Sequence, residues 1–254
     1  MTQELGHRIY GQGAHRVIVL NDWLGDTTIW DHAQRYLNTN DITWAMADLR
    51  GYGRSRHLPG PHTAAQGASD VLSLAKGLGW DTFSIVGHSM STLVAWSVAQ
   101  QAPQSVQKLV LLTPPGPKGF DADQNTLGWL RSLARTELPA RIEQLSQMWG
   151  QRLSAGWVRH KASRWIQNAD PEAVAAYVDM FATEGVTDHN STIDQPTLLL
   201  TGKEDAPHMQ AQVTVPAWTP MCANMTTAAM DACGHYPMEE APPLLVTHLE
   251  RFLL

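Results

Sequence analysis

Short runs of apolar residues alternate with segments of helical periodicity along the first half of the chain. Residues 64–78 carry apolar side chains at a helical spacing, and they are followed by Gly79, a typical stop signal for a helix. Residues 92–101 have a second helical pattern. Short, wholly apolar strands between helices are typical of a parallel sheet that is covered on both faces. The apolar runs that we predict to be strands lie at residues 16–20, 42–47, 83–86 and 108–113.

The strand pattern stops at the sequence PPGP, residues 114–117. The stretch that follows has helical patterns alone. In the last of these patterns, Asp170 can cap the helix and Pro171 suits its first turn. A helical insertion of this kind is where a lid over a site at the strand ends would lie. We therefore predict an α/β core domain from residues 1–116 and 195–254, with a helical cap inserted at 117–194.

Composition and charge argue against several classes of function. The length of 254 residues suits one α/β domain with an insertion. The net charge is −6 and no basic cluster is visible, so we expect no nucleic-acid partner. No apolar run approaches the roughly 20 residues that span a bilayer, so we expect no membrane partner.

Targeting and redox signals are also weak. The first eight residues contain no apolar segment of a secretory signal, so we expect a cytoplasmic protein. In that compartment Cys222 and Cys233 are expected to be reduced thiols. The histidines lack the spacing of a zinc site, and the glycines at 11 and 13 are better explained by a turn after a short strand. We therefore expect no metal and no organic cofactor, and the oligomeric state stays open.

One strand-to-helix junction carries a candidate nucleophile. Residues 82–96 read TFSIVGHSMSTLVAW, an apolar run that ends in GHSMS and passes at once into a helical pattern. This is the pattern of a nucleophile elbow, a tight turn that exposes one side chain at its tip, here Ser89. A side chain at Gly87 would collide with such a turn. Ser91 stands where the usual pattern has a second glycine.

Two later strand ends carry the groups that a serine nucleophile needs. A serine hydroxyl requires a base to take its proton and an acid to orient that base. The apolar run at residues 198–202 is followed by Glu204 and Asp205, of which we favour Asp205 and keep Glu204 as the alternative. The last predicted strand, at residues 225–230, is followed by His235 in a turn.

The chain resembles the α/β-hydrolase fold serine hydrolases, of the small esterase, lactonase and C–C-hydrolase type, over nearly its whole length. In that family the nucleophile, the acid and the histidine follow in this order along the chain. The resemblance implies a mostly parallel central sheet with helices on both faces, a helical cap, and a catalytic triad of Ser89, Asp205 and His235. The motifs that carry it are DLRGYGRS at 48–55, GHSMS at 87–91, GKED at 202–205 and GHYPME at 234–239.

The loop after the first apolar run departs from the family pattern. The family usually has His-Gly there, followed by a residue whose N–H binds the oxyanion, whereas this chain has Asn21 and Asp22. By position, Trp23 should donate that N–H together with the N–H of Met90. A carboxylate beside an oxyanion hole opposes the development of charge. We therefore expect Asp22 to point away and bond its own turn, with recognition of a substrate hydroxyl or amine as the alternative.

Tryptophans are concentrated in the predicted cap. Large aromatic side chains form the interior of such a segment or wall an apolar substrate pocket. We expect one or two of them to bind substrate, together with Asp22. The candidates are Trp129, Trp149, Trp157 and Trp165.

These features predict an enzyme that hydrolyses a small, partly apolar ester, thioester or lactone through an acyl-enzyme, with a small molecule as its partner. Two alternatives stay open. The same scaffold hosts C–C bond hydrolases, because function lives in the site rather than in the fold. Some proteins that resemble it are small-molecule receptors with little turnover. A serine at the elbow argues against dehalogenases and epoxide hydrolases, which by resemblance carry Asp there.

Overall fold

The computed structural model describes residues 4–120, 122–149, 151–186, 188 and 190–254. The first three residues of the stretch considered above for a secretory signal lie outside the described residues, as do positions 121, 150, 187 and 189 of the predicted cap. Within the described part of the chain, no helix has the length and apolar character needed to cross a membrane.

The core of the protein is one seven-stranded sheet. Its strands are β1 (His7–Tyr10), β2 (His15–Leu20), β3 (Ile42–Ala47), β4 (Phe83–His88), β5 (Val106–Leu112), β6 (Thr197–Gly202) and β7 (Met225–Met230). They lie in the order β1-β3-β2-β4-β5-β6-β7, and the edge strand β1 is antiparallel to β3 while the other pairs are parallel. Strand β4 is the fourth of the seven strands, so its carboxyl end lies at the centre of the sheet, and every residue of β4 is buried.

Helices cover both faces of this sheet. They are α1 (Asp31–Gln34), α2 (Ala64–Gly77), α3 (Ser91–Gln101), α4 (Gln124–Leu133), α5 (Leu138–Trp149), α6 (Ala155–Asn168), α7 (Pro171–Asp179), α8 (Ala211–Trp218), α9 (Pro237–Glu240) and α10 (Pro242–Leu253). Helix α3 packs against α2, β4 and β5, and its first nine residues are all buried. The helix that follows the candidate nucleophile is therefore held rigidly inside the core.

The predicted fold class, a mostly parallel sheet with helices on both faces, is confirmed. Strands β3 and β7 have the predicted bounds, and β4 extends two residues beyond the predicted run, to His88. The sequence analysis did not predict α1 or α8. Helix α1 has four residues, which is too short to show a helical period, and α8 contains Pro216, which weakens a helical pattern.

The segment between β5 and β6 contains four α-helices, α4 to α7, and a short π-helix at Met180–Glu184 among its described residues. Helix α5 packs on α6, and α4 packs on α7. The two ends of the segment meet, because the backbone N–H of Val186 donates to the carbonyl of Pro117 at 2.8 Å. The indole of Trp23 donates to the carbonyl of Val174 at 2.8 Å, which ties α7 to the core. The division of the chain into a core and a cap stays a prediction.

Candidate active site

Ser89 lies at the tip of a two-residue turn between β4 and α3. Its φ angle is 54°, in the left-handed region that a residue with a side chain adopts at a cost of about 1–3 kcal/mol. Its backbone N–H donates to the carbonyl of Leu112 on the neighbouring strand at 2.9 Å. The strained backbone is thus held by the sheet, and it directs the Ser89 hydroxyl away from the helix.

The residues around Ser89 explain why the turn can be so tight. A Cβ atom on Gly87 would lie 2.5 Å from the carbonyl oxygen of Ser91 and 2.6 Å from the Cα of Thr92, so glycine is required there. The hydroxyl of Ser91 accepts a hydrogen bond from the N–H of His88 at 2.9 Å and donates to its carbonyl at 3.0 Å. Ser91 therefore closes the turn by its own hydrogen bonds, at the position where the family pattern has glycine.

Three side chains from distant parts of the chain meet at the carboxyl ends of the strands. The imidazole Nε2 of His235 lies 2.9 Å from the hydroxyl of Ser89. Its Nδ1 lies 2.8 Å from Oδ2 of Asp205. All three residues are buried, and Ser89 is the most accessible of them at 8% exposure. The structure thus brings Ser89, His235 and Asp205 together in the order that the sequence predicts.

The hydrogen bonds define which nitrogen of His235 carries the proton. A carboxylate can only accept, so Nδ1 donates to Asp205 and Nε2 accepts from Ser89. Burial lowers the pKa of His235, but the charge of Asp205 and the hydrogen bond to it outweigh burial, so the pKa is raised above its ordinary value. This environment suits a base that must hold a proton taken from Ser89.

Asp205, and not Glu204, is the carboxylate that contacts His235. The side chain of Glu204 is exposed, whereas Asp205 is buried. Oδ1 of Asp205 accepts a hydrogen bond from the N–H of Ala206 at 2.7 Å, while Oδ2 faces His235. Gln210 donates to the Asp205 carbonyl at 2.7 Å. Each oxygen of the Asp205 carboxylate therefore has one defined partner.

Glu240 holds the loop that carries His235. Its Oε2 accepts from the N–H of Gly234 and its Oε1 accepts from the N–H of Tyr236, both at 2.9 Å. Arg152, from the segment between α5 and α6, donates to Oε2 of Glu240 at 2.8 Å and to the carbonyl of Ala232 at 2.8 Å. The predicted cap and the His235 loop are thereby joined through one carboxylate.

His88 fixes His235 from the opposite side. Its Nε2 lies 2.8 Å from the backbone carbonyl of His235 and therefore donates to it, since a carbonyl only accepts. Burial, partly opposed by the charge of Asp22, lowers the pKa of His88 to about 4. His88 is therefore neutral at pH 7 and positions the backbone of His235.

Trp23, from the loop after β2, and Met90, which follows Ser89, both line the cavity. Asn21 shapes this loop, because its amide donates to the carbonyls of Asp22 at 2.8 Å and Gly25 at 2.9 Å. The Asn21 oxygen accepts from the N–H of Leu49 at 2.7 Å. The backbone N–H groups of Trp23 and Met90 meet no protein acceptor among the described residues. Their role as oxyanion donors stays a prediction.

The expectation that Asp22 bonds its own turn is wrong. The hydrogen bonds that hold the turn come from Asn21, and Oδ1 of Asp22 forms none. Asp22 is 1% exposed, it borders the cavity, and its Oδ1 has no hydrogen-bond partner among the described residues.

A cavity of about 350 Å³ opens above Ser89, His235 and Asp205. Its size lies at the small end of ligand sites, which are typically about 300–1,000 Å³. The wall is mostly apolar and comes from the core, from the predicted cap and from the loop after β6. Besides the three polar residues, its described lining is Asp22, Trp23, Leu24, Met90, Pro115, Phe120, Thr126, Trp129, Leu130, Met148, Trp149, Phe181, Ala206, His208, Met209 and Tyr236.

The four candidate tryptophans of the cap have different positions. Trp129 and Trp149 line the cavity. Trp157 packs behind the wall against Trp149 and Tyr236, where its indole donates to Glu239 at 3.1 Å. Trp165 is fully buried in the cap interior, 4.2 Å from the guanidinium of Arg141. Of the four, only Trp129 and Trp149 therefore remain candidates for contact with the substrate.

Several lining residues were not selected from the sequence. His208 follows Asp205 in the same strand-end loop, so its position after β6 was a usable signal. Burial lowers the pKa of His208. Phe120 and Phe181 come from opposite ends of the predicted cap and stack with ring centroids 6.2 Å apart. No sequence pattern marks this pair, because their contact depends on how the cap helices pack.

Comparison with known protein families identifies the family to which this fold belongs. The alpha/beta hydrolase fold family matches residues 16–242, and the protein belongs to this family. The resemblance stated from the sequence motifs is thereby confirmed.

Relatives of known name share part of the chain. A serine hydrolase-like protein of Dictyostelium discoideum is 26% identical over 170 residues, which are 64% of this chain and 47% of that protein. The N-formylmaleamate deformylase of Pseudomonas putida is 25% identical over 198 residues, which are 75% of this chain and 71% of the deformylase. The match therefore spans about half of the length of the first relative and most of the second.

Solved structures share the whole architecture. A bromoperoxidase from Bacillus anthracis has a TM-score of 0.83 at 17% identity, covering 97% of this chain and 94% of that one. A thermophilic esterase from Thermogutta terrifontis has a TM-score of 0.81 at 23% identity, covering 98% of this chain and 92% of that one. At these identities the likeness shows the fold alone.

Proposed function

We propose that the protein is a serine hydrolase that cleaves a small, partly apolar ester, thioester or lactone through an acyl-enzyme on Ser89. The observation that carries the proposal is the hydrogen-bonded chain from Ser89 through His235 to Asp205, which opens into one apolar cavity. The names of two similar proteins agree with a hydrolytic reaction. The Pseudomonas putida relative is a deformylase, and one structural neighbour is an esterase.

The first half of the reaction acylates Ser89. The hydroxyl attacks the substrate carbonyl as His235 Nε2 takes its proton. The charge of Asp205 stabilises the imidazolium that forms. The N–H groups of Trp23 and Met90 bind the negative oxygen of the tetrahedral intermediate. His235 then gives its proton to the leaving oxygen or sulfur, and the acyl group stays on Ser89.

The second half of the reaction releases the acid. Water attacks the acyl-enzyme, with His235 Nε2 again acting as the base. The new tetrahedral intermediate is held by the same two N–H groups. Its collapse breaks the bond to Ser89, and His235 returns the proton to the serine oxygen. The site is regenerated without any change in oxidation state.

The cavity wall limits the substrate. Its lining is dominated by Trp, Phe, Met and Leu side chains, which bind an apolar acyl or leaving group by excluding water. A volume of about 350 Å³ suits a small molecule. We therefore place the preferred substrates among short esters, thioesters and lactones.

The proposed function is tested by trapping the acyl-enzyme. We expect the protein to hydrolyse p-nitrophenyl acetate or butyrate. Quenching the reaction in acid during turnover should leave the acyl mass on the peptide that contains Ser89, detected by mass spectrometry. Turnover of these esters with no acylated peptide, or acylation at another residue, would contradict the proposed mechanism. Cleavage of a vinylogous diketone with esters untouched would favour a C–C hydrolase instead.

Replacing Glu240 by glutamine should lower kcat by about tenfold to a hundredfold, the range expected when a charge-assisted hydrogen bond is lost. Glutamine keeps one acceptor oxygen, whereas the carboxylate accepts from Gly234, Tyr236 and Arg152 with two. The His235 loop should then be held less firmly, and the hydroxyl–imidazole contact should be populated less often. Steady-state kinetics on p-nitrophenyl acetate measure this effect.

Glu143→Gln is the matched control for this change. Glu143 is exposed on α5 and lies outside the described cavity wall, so its neutralisation should leave kcat unchanged. If Glu240→Gln loses thermal stability but keeps the wild-type kcat, then Glu240 supports the fold without positioning His235.

A further inference from the structure

Two buried polar groups that form no hydrogen bond of normal geometry within the described chain border the cavity next to Ser89. Oδ1 of Asp22 and the hydroxyl of Tyr236 have no hydrogen-bond partner among the described residues. Asp22 is 1% exposed and Tyr236 is 0% exposed. Both residues line the same cavity. Buried polar groups in native proteins are nearly always hydrogen-bonded, so two such groups at one cavity call for an explanation.

The carboxylate of Asp22 is the stronger anomaly of the two. Burying a charge without a partner is strongly unfavourable. No basic side chain of the described chain forms an ion pair with Asp22. The ammonium of Lys161 lies 3.7 Å from Glu239 and 3.8 Å from the centre of the Tyr236 ring, and it forms no ion pair with Asp22. Asp22 therefore interacts with the side chains of Tyr236 and His235, and it has no lysine or arginine of the described chain as an ion-pair partner.

Against the effect of burial, the charges of Asp205 and Asp22 raise the pKa of His235, but the rest of the described cavity wall gives Oδ1 of Asp22 no hydrogen-bond donor. Only one other lining residue is a carboxylate, within the described wall, and this is Asp205, whose two oxygens are already engaged by Ala206 and His235. No lysine or arginine is part of the described wall. A substrate group that donates a hydrogen bond, or that is positively charged, would meet Asp22 as a free acceptor. A substrate carboxylate would be repelled there.

The position of the two groups says where on the substrate such a donor would lie. Asp22 directly precedes Trp23, and Tyr236 directly follows His235. The two side chains face each other, because burial, the charge of Asp22 and a direct side-chain interaction with Asp22 all raise the pKa of Tyr236. In the proposed reaction, Trp23 binds the carbonyl oxygen and His235 serves the reacting carbon. A group held by Asp22 and Tyr236 is thus close to the reacting carbonyl.

We propose that Asp22 and the hydroxyl of Tyr236 form a recognition site for a hydroxyl or ammonium group on the substrate carbon next to the reacting carbonyl. The substrate class is then the 2-hydroxy and 2-amino acyl esters, with a compact apolar remainder. This inference rests on the proposed function for its assignment of the carbonyl site. Both ligand groups share one chemistry, donation of a hydrogen bond to a carboxylate.

The first experiment compares three esters of one size. Phenyl propionate, phenyl 2-hydroxypropionate and phenyl 2-aminopropionate differ only in the group at carbon 2. Phenol release measures kcat/KM for each, and each value is divided by the rate at which the same ester hydrolyses in buffer, so that the chemical reactivity of the ester cancels. The wild type should prefer at least one substituted ester by about tenfold to a hundredfold, the range for a hydrogen bond to a charged group. Which of the two shows the preference distinguishes the hydroxyl from the ammonium.

Asp22→Asn should bring this preference within about threefold of parity, because it removes the charge at nearly constant volume. Tyr236→Phe should reduce the preference less, and it serves as a second variant if Asp22→Asn fails to fold. Asp81→Asn is the control, since Asp81 is exposed just before β4, at the opposite edge of the sheet. A wild type without preference, or a preference that survives in Asp22→Asn, would overturn the proposal.

The second experiment separates this inference from the proposed function. Propiophenone, 2-hydroxypropiophenone and 2-aminopropiophenone carry the same groups on ketones that no serine hydrolase cleaves. Their binding is followed by the fluorescence of Trp23, Trp129 and Trp149 in the cavity wall. Tighter binding of a substituted ketone to the wild type, lost in Asp22→Asn, supports the recognition site even if every ester is left intact. Equal binding of all three ketones counts against it.

The unfolding temperature distinguishes a role of Asp22 in substrate binding from a role in supporting the fold, because the two roles predict changes of opposite sign. A carboxylate kept for ligand binding is a burden on the unliganded fold. The unfolding temperature of Asp22→Asn should therefore equal or exceed that of the wild type. A fall of several degrees would mean that the Asp22 charge supports the fold, and it would overturn the assignment to substrate.

Discussion

Ser89→Ala should lose about a millionfold in kcat, the magnitude seen when a serine nucleophile is removed from a hydrogen-bonded triad. The hydroxyl of Ser89 contacts only His235 among the described side chains, so its removal deletes the attacking atom and little else. The backbone hydrogen bond from Ser89 to Leu112 does not depend on the side chain. Hydrolysis of p-nitrophenyl acetate and labelling by a fluorophosphonate both measure the loss.

Ser69→Ala is the matched control for this variant. The Ser69 hydroxyl is exposed on α2 and donates to the carbonyl of Ala65, so its removal should leave both rate and labelling unchanged. The unfolding temperature of Ser89→Ala should stay near that of the wild type. Equal fluorophosphonate labelling of Ser89→Ala and wild type would reject Ser89 as the nucleophile.

Asp205→Asn should lower kcat by about 10⁴-fold, the effect of reversing the tautomer of the histidine in a serine triad. The N–H of Ala206 donates to Oδ1 of Asp205, so the asparagine oxygen must occupy that position. The asparagine NH₂ group then faces Nδ1 of His235, which must become an acceptor. The proton of His235 moves to Nε2, where it can no longer accept the proton of Ser89.

The pH dependence of this variant gives a second, independent readout. In the wild type, Asp205 raises the pKa of His235 above its ordinary value against the effect of burial. A base works in its neutral form, so kcat/KM should rise with pH through an apparent pKa above about 6.5. Without the charge of Asp205, burial prevails, and the acid limb of the residual activity should shift to lower pH.

Glu204→Gln is the control for the acid. Glu204 is the neighbouring carboxylate and is exposed, so its neutralisation should change neither the rate nor the pH profile. A wild-type rate in Asp205→Asn combined with an inactive Glu204→Gln would exchange the roles of the two acids. A tenfold or smaller loss in Asp205→Asn would indicate that the orientation of His235 depends on other contacts.

The sequence predicted the parts of the protein that local patterns encode. A buried parallel strand reads as a short apolar run, and the residue just beyond it lies at the carboxyl edge of the sheet. Ser89, Asp205 and His235 could therefore be located one by one, and their common edge implied that they meet. Gly87 was likewise readable, because a tight turn excludes a side chain at that position.

The same local reasoning was wrong for Asp22 and incomplete for the cap. Asparagine and aspartate are both able to bond a turn, and the sequence does not say which of Asn21 and Asp22 does so. In the structure, Asn21 makes the hydrogen bonds that hold the turn. For the cap tryptophans, helical spacing indicates a buried side but does not say whether that side faces another helix or a cavity.

What the sequence determined by itself is most of the order of strands and helices along the chain and the three polar side chains at the strand ends. Each of these depends on only a few neighbouring residues. The tertiary structure decided which distant side chains share a wall. Phe120 stacks on Phe181 from the other end of the predicted cap. Trp157 and Trp165 pack against other side chains instead of lining the cavity. Glu240 binds the backbone of the His235 loop, and all these contacts join segments far apart in the chain. Such contacts follow from the packing of whole helices and loops, which no local pattern encodes.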